Sequence, residues 1–335
     1  IPEGGAKGTI LLNLGCQAEH IDAFRSYIDA MLELLMPGDE IHDLLGRDEI
    51  LFLGPDEHTA ELMNWAAEYA RDRGYPYWKA FTTGKQASLG GVPHDTYGMT
   101  TAGVHEYVLA VLAKLGLREA EITKIQTGGP DGDLGSNEIL VSRDRTLCVI
   151  DGSGVLFDPK GLDRAELKRL ARRRVMAREY RRSLLSSSGF FVDVTAKKVK
   201  LPDGTFVPNG EEFRNKFHLH PLARADLFVP CGGRPGAVSI NNWQSLLDRD
   251  GTPKFRAVIE GANLFITEDA RLRLEEHGVV LIKDASTNKG GVTSSSLEVF
   301  ASLALSDREF DKHMRVGDAG IPEFPAQYVK ALLSI

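Results

Sequence analysis

Lys7 stands in the run Gly4-Gly5-Ala6-Lys7-Gly8, and further along Asp56 stands in Gly54-Pro55-Asp56. Small residues on both sides of a lysine let backbone and ligand approach its ammonium. Stripping water from that ammonium lowers its pKa from about 10.4 toward the 7–8 that suits general acid–base work. The alternative is a solvated loop lysine, the commonest setting for this residue type. Asp56, just before a helical stretch, is either a proton-transfer group or a complement to the helix dipole.

A second cluster points to a nucleotide. The apolar strand 122–125 runs into Gly128-Gly129-Pro130-Asp131-Gly132-Asp133-Leu134-Gly135, and the next strand ends at Asp151. In a dinucleotide fold, glycines in the first βα turn let the backbone approach a pyrophosphate at a helix N-terminus. An acid roughly 20 residues on bonds the ribose hydroxyl. Gly132 and Gly135 supply the last two glycines, whereas Pro130 displaces the first. Asp151 would repel a 2′-phosphate, so NAD is expected over NADP.

Competing chemistries fail on spacing. Thr83-Gly84-Lys85 is followed by Gln86 and has Lys79 where a phosphate-binding loop needs its first glycine. Asp131-Gly132-Asp133 opens like a calcium loop, but Gly135 replaces the third ligand and Ser142 the bidentate glutamate. His218 and His220 lack a metal-binding partner pattern, and no metal is expected. Cys16, Cys148 and Cys231 are odd in number and far apart, which supports neither disulfides nor a thiolate site and implies a reducing compartment.

The elements that must position these groups follow from periodicity. Ile21, Phe24, Ile28, Met31, Leu32 and Leu35 recur at helical spacing before Pro37-Gly38. The run 50–53 reads as a short strand delivering Asp56, and a helix follows over 59–70. Val104, Tyr107, Val108, Val111, Leu112 and Leu115 mark a helix ending at Gly116. Apolar runs at 122–125, 147–150, 190–194, 227–229, 257–259 and 279–282 alternate with helices or turns, the pattern of a parallel sheet covered on both faces. Asp163 and Glu166 open an arginine-rich helix, and 198–207 with Pro202-Asp203-Gly204 reads as an inserted hairpin. The arginines of 164–182 are either the solvated face of one helix or an anionic-ligand patch. Ser295 and Glu298 fit the spacing of a helix capping box, and Asn263 and Asn288 sit beside glycines, where turns favour asparagine.

The fold expected is α/β: a doubly wound dinucleotide-binding domain plus an incomplete α/β substrate-binding domain. The boundaries read as 1–95 for the substrate and catalytic part, 96–285 for the NAD-binding part, and 286–335 for helices returning to the first. The 335 residues suffice for two cores, and the net charge of −7 argues against nucleic acid or an anionic membrane as partner. No apolar run is long enough to span a bilayer and no leader opens the chain, so an intracellular protein, cytoplasmic or mitochondrial, is expected. An initial Ile1 implies a piece of a longer polypeptide.

These residues together resemble the large NAD-specific glutamate dehydrogenases of the amino-acid dehydrogenase superfamily. The strings that carry the resemblance are GGAKG at 4–8, EILFLGPDE at 49–57, TGKQASLGGVPHDTYGMT at 83–100, QTGGPDGDLGSNEIL at 126–140, DGSGVLFDPKGLD at 151–163, FVPCGGRP at 228–235, EGANLFIT at 260–267 and KDASTNKGGVTSSSLEV at 283–299. The resemblance implies that Lys7 and Asp56 are catalytic, that Thr100, Asn263 and Asn288 line the nicotinamide, and that Ser295 contacts the substrate's distal carboxylate. Thr100, Asn263 and Asn288 with Gly132, Asp133, Leu134, Gly135 and Asp151 make the expected cofactor-binding set. It further implies NAD as cofactor, reversible oxidative deamination of L-glutamate to 2-oxoglutarate and ammonium, and a homo-oligomer for the full-length protein. The chain departs from the family pattern in beginning after the lysines that bind the substrate's carboxylates, as a catalytic-core fragment would. A dehydrogenase of another L-amino acid and a non-catalytic NAD-binding module are the competing readings.

Overall fold

The computed structural model describes residues 8–38, 41, 46–54, 60–316, 327, 330 and 331. The chain divides into two compact units, one made from 1–97 with 293–335 and the other from Gly98–Val292. Lys7 and Asp56 lie outside the described residues.

The Gly98–Val292 unit contains, among its described residues, the strands β1 (Thr123–Thr127), β2 (Arg145–Asp151), β3 (Gly154–Phe157), β4 (Phe190–Asp193), β5 (Lys197–Lys200), β6 (Phe206–Asn209), β7 (Ala225–Pro230), β8 (Phe255–Ile259) and β9 (Val280–Ile282). Seven of them form one sheet in the order β4-β3-β2-β1-β7-β8-β9. β1 pairs in parallel with β2 on one side and β7 on the other, and β8 and β9 continue the parallel set. The chain leaves β1 toward one edge and returns beside it toward the other, so the switch point of the winding lies at the C-terminal ends of β1 and β7. Each of the six apolar runs falls on a strand. β3 was not legible as one: it folds back antiparallel on β2, and β4 pairs antiparallel with it, so this edge of the sheet is mixed. β5 and β6 form the expected hairpin.

Alternation along the strands sorts the core into two faces. Ile125, Cys148, Ile150, Phe228 and Val258 face one side with Phe217, Phe265 and Leu274. Leu227, Val229, Ala257 and Ile259 face the other, under Val104, Val108 and Val111 of the helix Met99–Lys114, while Val149 and Leu156 meet Ile139 of the helix Asp133–Val141. On the central strand β1, however, the second face carries Lys124 and Gln126, both fully buried. A polar layer therefore underlies the helix Asp133–Val141.

In the other unit, Ile28 and Leu32 of the helix His20–Leu35 pack on Ala66 and Ala70 of the helix Ala60–Asp72, with Tyr75, Trp78 and Phe81. The run 50–53 forms no strand. Leu53 alone bridges Thr82, donating to Phe81 O at 2.9 Å and accepting from Thr83 N at 2.8 Å. A short apolar run without a second partner strand cannot build a ladder. The unit boundary after Val292 falls inside the helix Lys289–Ala304.

Candidate active site

The dinucleotide turn is set by close backbone approach. Gly128 has φ +83°, and a Cβ there would lie 2.7 Å from the backbone of Cys231 and Gly232. At Gly135 a Cβ would lie 2.4 Å from Gly129 O and 2.5 Å from Gly128 O, so only glycine lets the first helical turn close on the strand end. At Gly132 the nearest atom would be 3.7 Å away, which leaves space in front of the helix N-terminus. Gly132 is the N-cap and has no side chain with which to cap the helix, whose first-turn amides have no intrahelical acceptor. A cradle of this kind fits an anionic pyrophosphate.

The Gln126 amide nitrogen holds the turn from below, donating to Gly128 O at 2.9 Å and Gly135 O at 3.0 Å. Lys124 donates to Glu138 Oε1 at 2.9 Å and Ser142 Oγ at 3.0 Å and pairs with Asp144 at 2.8 Å. His105, on the helix Met99–Lys114, lies 3.4 Å from Glu138 Oε2 and 3.6 Å from Glu119. Burial works against its charge, but the Glu138 and Glu119 carboxylates outweigh burial and raise its pKa. The pattern of single residues did not expose this network, because a lysine and a glutamine in a strand read as exposed positions.

Asp151 ends β2 beside the turn; a Cβ on Gly129 would come within 2.5 Å of its Oδ2. Its carboxylate is already held from within the chain. Oδ1 accepts from Ser153 N at 2.8 Å and Ser153 Oγ at 2.6 Å, and Oδ2 accepts from Ala177 N at 2.6 Å. A carboxylate has about four acceptor positions, so one stays available to a ribose hydroxyl. Burial and the neighbouring Asp151 charge push the Asp131 carboxyl up. Asp133 opens the helix with its side chain in solvent, and Arg174 at 3.4 Å offsets its charge while also donating to Gly132 O at 3.2 Å.

The arginines of 164–182 are largely structural. Asp163 caps the helix Arg164–Arg173 by accepting from Glu166 N at 2.8 Å, as the spacing indicated. The Glu166 side chain instead receives Arg169 and Arg181, and these hydrogen bonds hold its carboxyl down at about 2. Arg164 donates to Asp144 O at 2.9 Å.

Asn263 and Asn288 meet: Asn288 Nδ2 donates to Asn263 Oδ1 at 2.7 Å and to Gly261 O at 3.0 Å. The loop carrying Asn263 is pinned where Leu264, at φ +55°, donates to Asp284 Oδ2 at 2.9 Å. A Cβ on Gly261 would come 2.5 Å from Leu134 Cδ2, so the dinucleotide turn and this loop are in contact at the end of β8. Thr100 lies in the first turn of the helix Met99–Lys114, and Gly291 packs on it so closely that a Cβ would stand 2.8 Å from Thr100 Oγ1.

Ser295 is not a cap. It lies within the helix Lys289–Ala304, and Glu298 is buried in an ion pair with Lys85 at 2.5 Å. Glu298 Oε2 also accepts from Gly84 N and Val92 N, both at 3.0 Å. That clamp fixes the segment 83–92 along the helix and makes a phosphate role for Lys85 unworkable. The capping box of this region is Ser306 with Glu309, opening the helix Asp307–His313. Ser295 Oγ lies 3.2 Å from Thr83 Oγ1 and 3.1 Å from His94 Nε2, while His94 Nδ1 lies 2.6 Å from Ser294 Oγ. Thr83 and His94 were missed as site residues although both stand in the string 83–100, because neither has chemistry at a recognisable spacing from Ser295 along the chain. Among the described residues no cluster of three or more His, Cys, Asp or Glu side chains could hold a metal ion, and no helix is long and apolar enough to cross a membrane.

Comparison with known proteins places these features. Glutamate dehydrogenase 2 of Dictyostelium discoideum is 59% identical over 330 residues, covering 98% of this chain but 32% of the relative. The NAD-specific glutamate dehydrogenase of Neurospora crassa is 53% identical, covering 98% of this chain and 32% of the relative. The chain thus spans about a third of the length of these curated relatives. Among solved structures, Plasmodium falciparum glutamate dehydrogenase superposes with a TM-score of 0.62 at 16% identity, covering 94% of this chain and 57% of that one. The hetero-hexameric glutamate dehydrogenase of Thermus thermophilus does so with a TM-score of 0.58 at 20% identity, covering 95% and 62%. These two likenesses establish the fold. The family model described as Glutamate/Leucine/Phenylalanine/Valine dehydrogenase matches residues 90–331, and the chain belongs to that family.

Proposed function

We propose that this chain is the catalytic core of an NAD-dependent glutamate dehydrogenase, converting L-glutamate, NAD⁺ and water into 2-oxoglutarate, ammonium, NADH and a proton, and the reverse. The observation that carries the reading is the dinucleotide turn at 128–135 with Asp151 against Gly129, in a chain 59% identical to a glutamate dehydrogenase. In this reading Gly98–Val292 carries the cofactor, and 1–97 with 293–335 carries the substrate.

NAD⁺, when bound, supplies the hydride acceptor. The first-turn amides of Asp133, Leu134 and Gly135 would hold the pyrophosphate, and Asp151 would accept from the adenosine ribose and disfavour a 2′-phosphate. Thr100, Asn263 and Asn288 orient the nicotinamide amide. The bond between the two asparagines fixes their side-chain orientation, so that they would present their amides to the nicotinamide in a set direction. Asp56 takes a proton from the substrate ammonium as amine becomes iminium. Lys7 activates the water that attacks the iminium and stabilises the oxygen that forms. Ser295 donates to the distal carboxylate.

The family also contains dehydrogenases for leucine, phenylalanine and valine. The polar cluster of Thr83, His94 and Ser295 favours an acidic side chain over an apolar one, because it offers a hydrogen-bond donor that a carboxylate uses and a hydrocarbon side chain does not. The relative from Thermus thermophilus is a hetero-hexamer; for the full-length protein here the proposal is an intracellular homo-oligomer. An absorbance assay of NADH formation over a panel of L-amino acids tests the whole reading. Preference for glutamate with NAD⁺ is expected. Preference for an apolar amino acid would assign a different substrate, and no NADH formation with any amino acid by the full-length protein would leave only an NAD-binding module.

A further inference from the structure

We propose that His94 is a positioning residue for Ser295: it dictates where the serine hydroxyl sends its proton, and through that the preference for a substrate with a distal carboxylate. The inference rests on the reading of Ser295 as the ligand of that carboxylate.

The imidazole is held at both nitrogens by consecutive residues of one helix. Nδ1 is 2.6 Å from Ser294 Oγ and Nε2 is 3.1 Å from Ser295 Oγ. The segment that carries His94 is itself tied to this helix by Glu298, which accepts from Val92 N at 3.0 Å, two residues before the ring. The ring therefore has little freedom to leave the serines. The second neighbour of Ser295, Thr83 Oγ1 at 3.2 Å, is a hydroxyl that rotates to donate or accept as required.

A serine hydroxyl has one proton and two lone-pair directions, and a carboxylate only accepts. To bind the carboxylate Ser295 must give it that proton, so both other neighbours must meet the serine oxygen as donors or stand aside. Thr83 does this by rotation. His94 does it only when Nε2 carries the proton. With Nε2 bare, the serine proton is drawn to the ring and the serine lone pairs face the carboxylate, which is repulsive.

The donor arrangement is accessible because Ser294 can donate to Nδ1 in the neutral ring, and the imidazolium supplies donors at both nitrogens. The charged groups acting on the ring are Glu298 of the same helix and Lys85 of the clamped segment, which are paired with each other. Burial keeps His94 below the ordinary histidine value, so the resting ring is neutral and its tautomer decides.

The test measures kcat and KM for glutamate and for norvaline, which lacks the distal carboxylate, in the full-length enzyme and its variants. His94→Phe should raise KM for glutamate about tenfold more than it raises KM for norvaline, the weight of one charge-assisted hydrogen bond. His94→Gln, whose amide nitrogen reaches the place of Nε2, should keep most of the glutamate preference, and His94→Asn, which reaches only the place of Nδ1, should lose it. The Gln and Asn variants decide the matter if the Phe variant is unfolded at the assay temperature. An equal change for both substrates, or a preference kept by Asn and lost by Gln, overturns the proposal. If the unaltered enzyme oxidises norvaline but not glutamate, the reading of the substrate has failed and the proposal falls with it; if it oxidises glutamate and the variants keep its preference, only the proposal has failed.

Discussion

The Lys124 ammonium lies 2.9 Å from Glu138 Oε1, joining the strand that enters the dinucleotide turn to the helix that leaves it, with both side chains wholly buried. Asp144 and Ser142 complete the set of acceptors around the same nitrogen. Removing one partner of such a group leaves an uncompensated charge in the interior. Lys124→Met is expected to cost about 3–5 kcal/mol, whereas replacing Lys124, Glu138 and Asp144 together by apolar residues should cost less than that single change. Urea unfolding followed by circular dichroism checks both, and equal losses would show that the charges are not coupled.

Acid should unfold the Gly98–Val292 unit through the same groups. Burial raises the Glu138 and Asp144 carboxyls, but the adjacent Lys124 charge outweighs it and holds both below the ordinary range. A carboxyl depressed in the folded state contributes stability above its unfolded pKa of about 4, and that stability is lost as pH falls through the folded value. The urea midpoint is therefore expected to fall steeply below about pH 4. Glu138→Gln should lower the midpoint at neutral pH and flatten the acid limb. An unchanged acid slope in that variant would remove Glu138 from the linkage. Lys124 is raised, so its contribution holds below about 10.4 and is lost only in strong alkali.

Asp151 is expected to show two separable roles. Asp151→Ser removes the acceptor of Ser153 N and Ala177 N and should lower stability by about 1–3 kcal/mol. In the full-length enzyme it should also weaken NAD⁺ and favour NADP⁺ relatively, since both a hydroxyl acceptor and a repulsive charge are lost. The ratio of kcat/KM for the two cofactors reads the second effect independently of the melting temperature. An unchanged ratio beside a lowered melting temperature would place the ribose elsewhere.

Lys7→Ala and Asp56→Asn in the full-length enzyme should each lower kcat by roughly 10²–10⁴, the usual range for one positioned acid–base group. NADH binding, measured by its fluorescence, should stay nearly intact, because neither residue belongs to the dinucleotide turn. Near-normal kcat in either variant would remove that residue from the proton-transfer steps.

The sequence by itself determined the sheet strands and the dinucleotide turn. Apolar runs of strand length fix where β1, β2, β4, β7, β8 and β9 form, and the glycines at 132 and 135 with an acid at 151 state a local geometry that needs no distant partner. Tertiary structure decided what depends on a partner far along the chain. The run 50–53 looked like a strand but found only Thr82 to bridge. Ser295 and Glu298 have capping-box spacing, yet Glu298 is taken by Lys85, 213 residues away in sequence, which leaves Ser295 inside a helix facing Thr83 and His94. Lys124 and Gln126 belong to no motif, yet they are buried beneath the turn at 128–135 and bonded to its flanking helix and carbonyls. Periodicity reports which side of an element is apolar; it cannot report which charges meet once the elements pack, because a buried ion pair is chosen by geometry and desolvation across the fold.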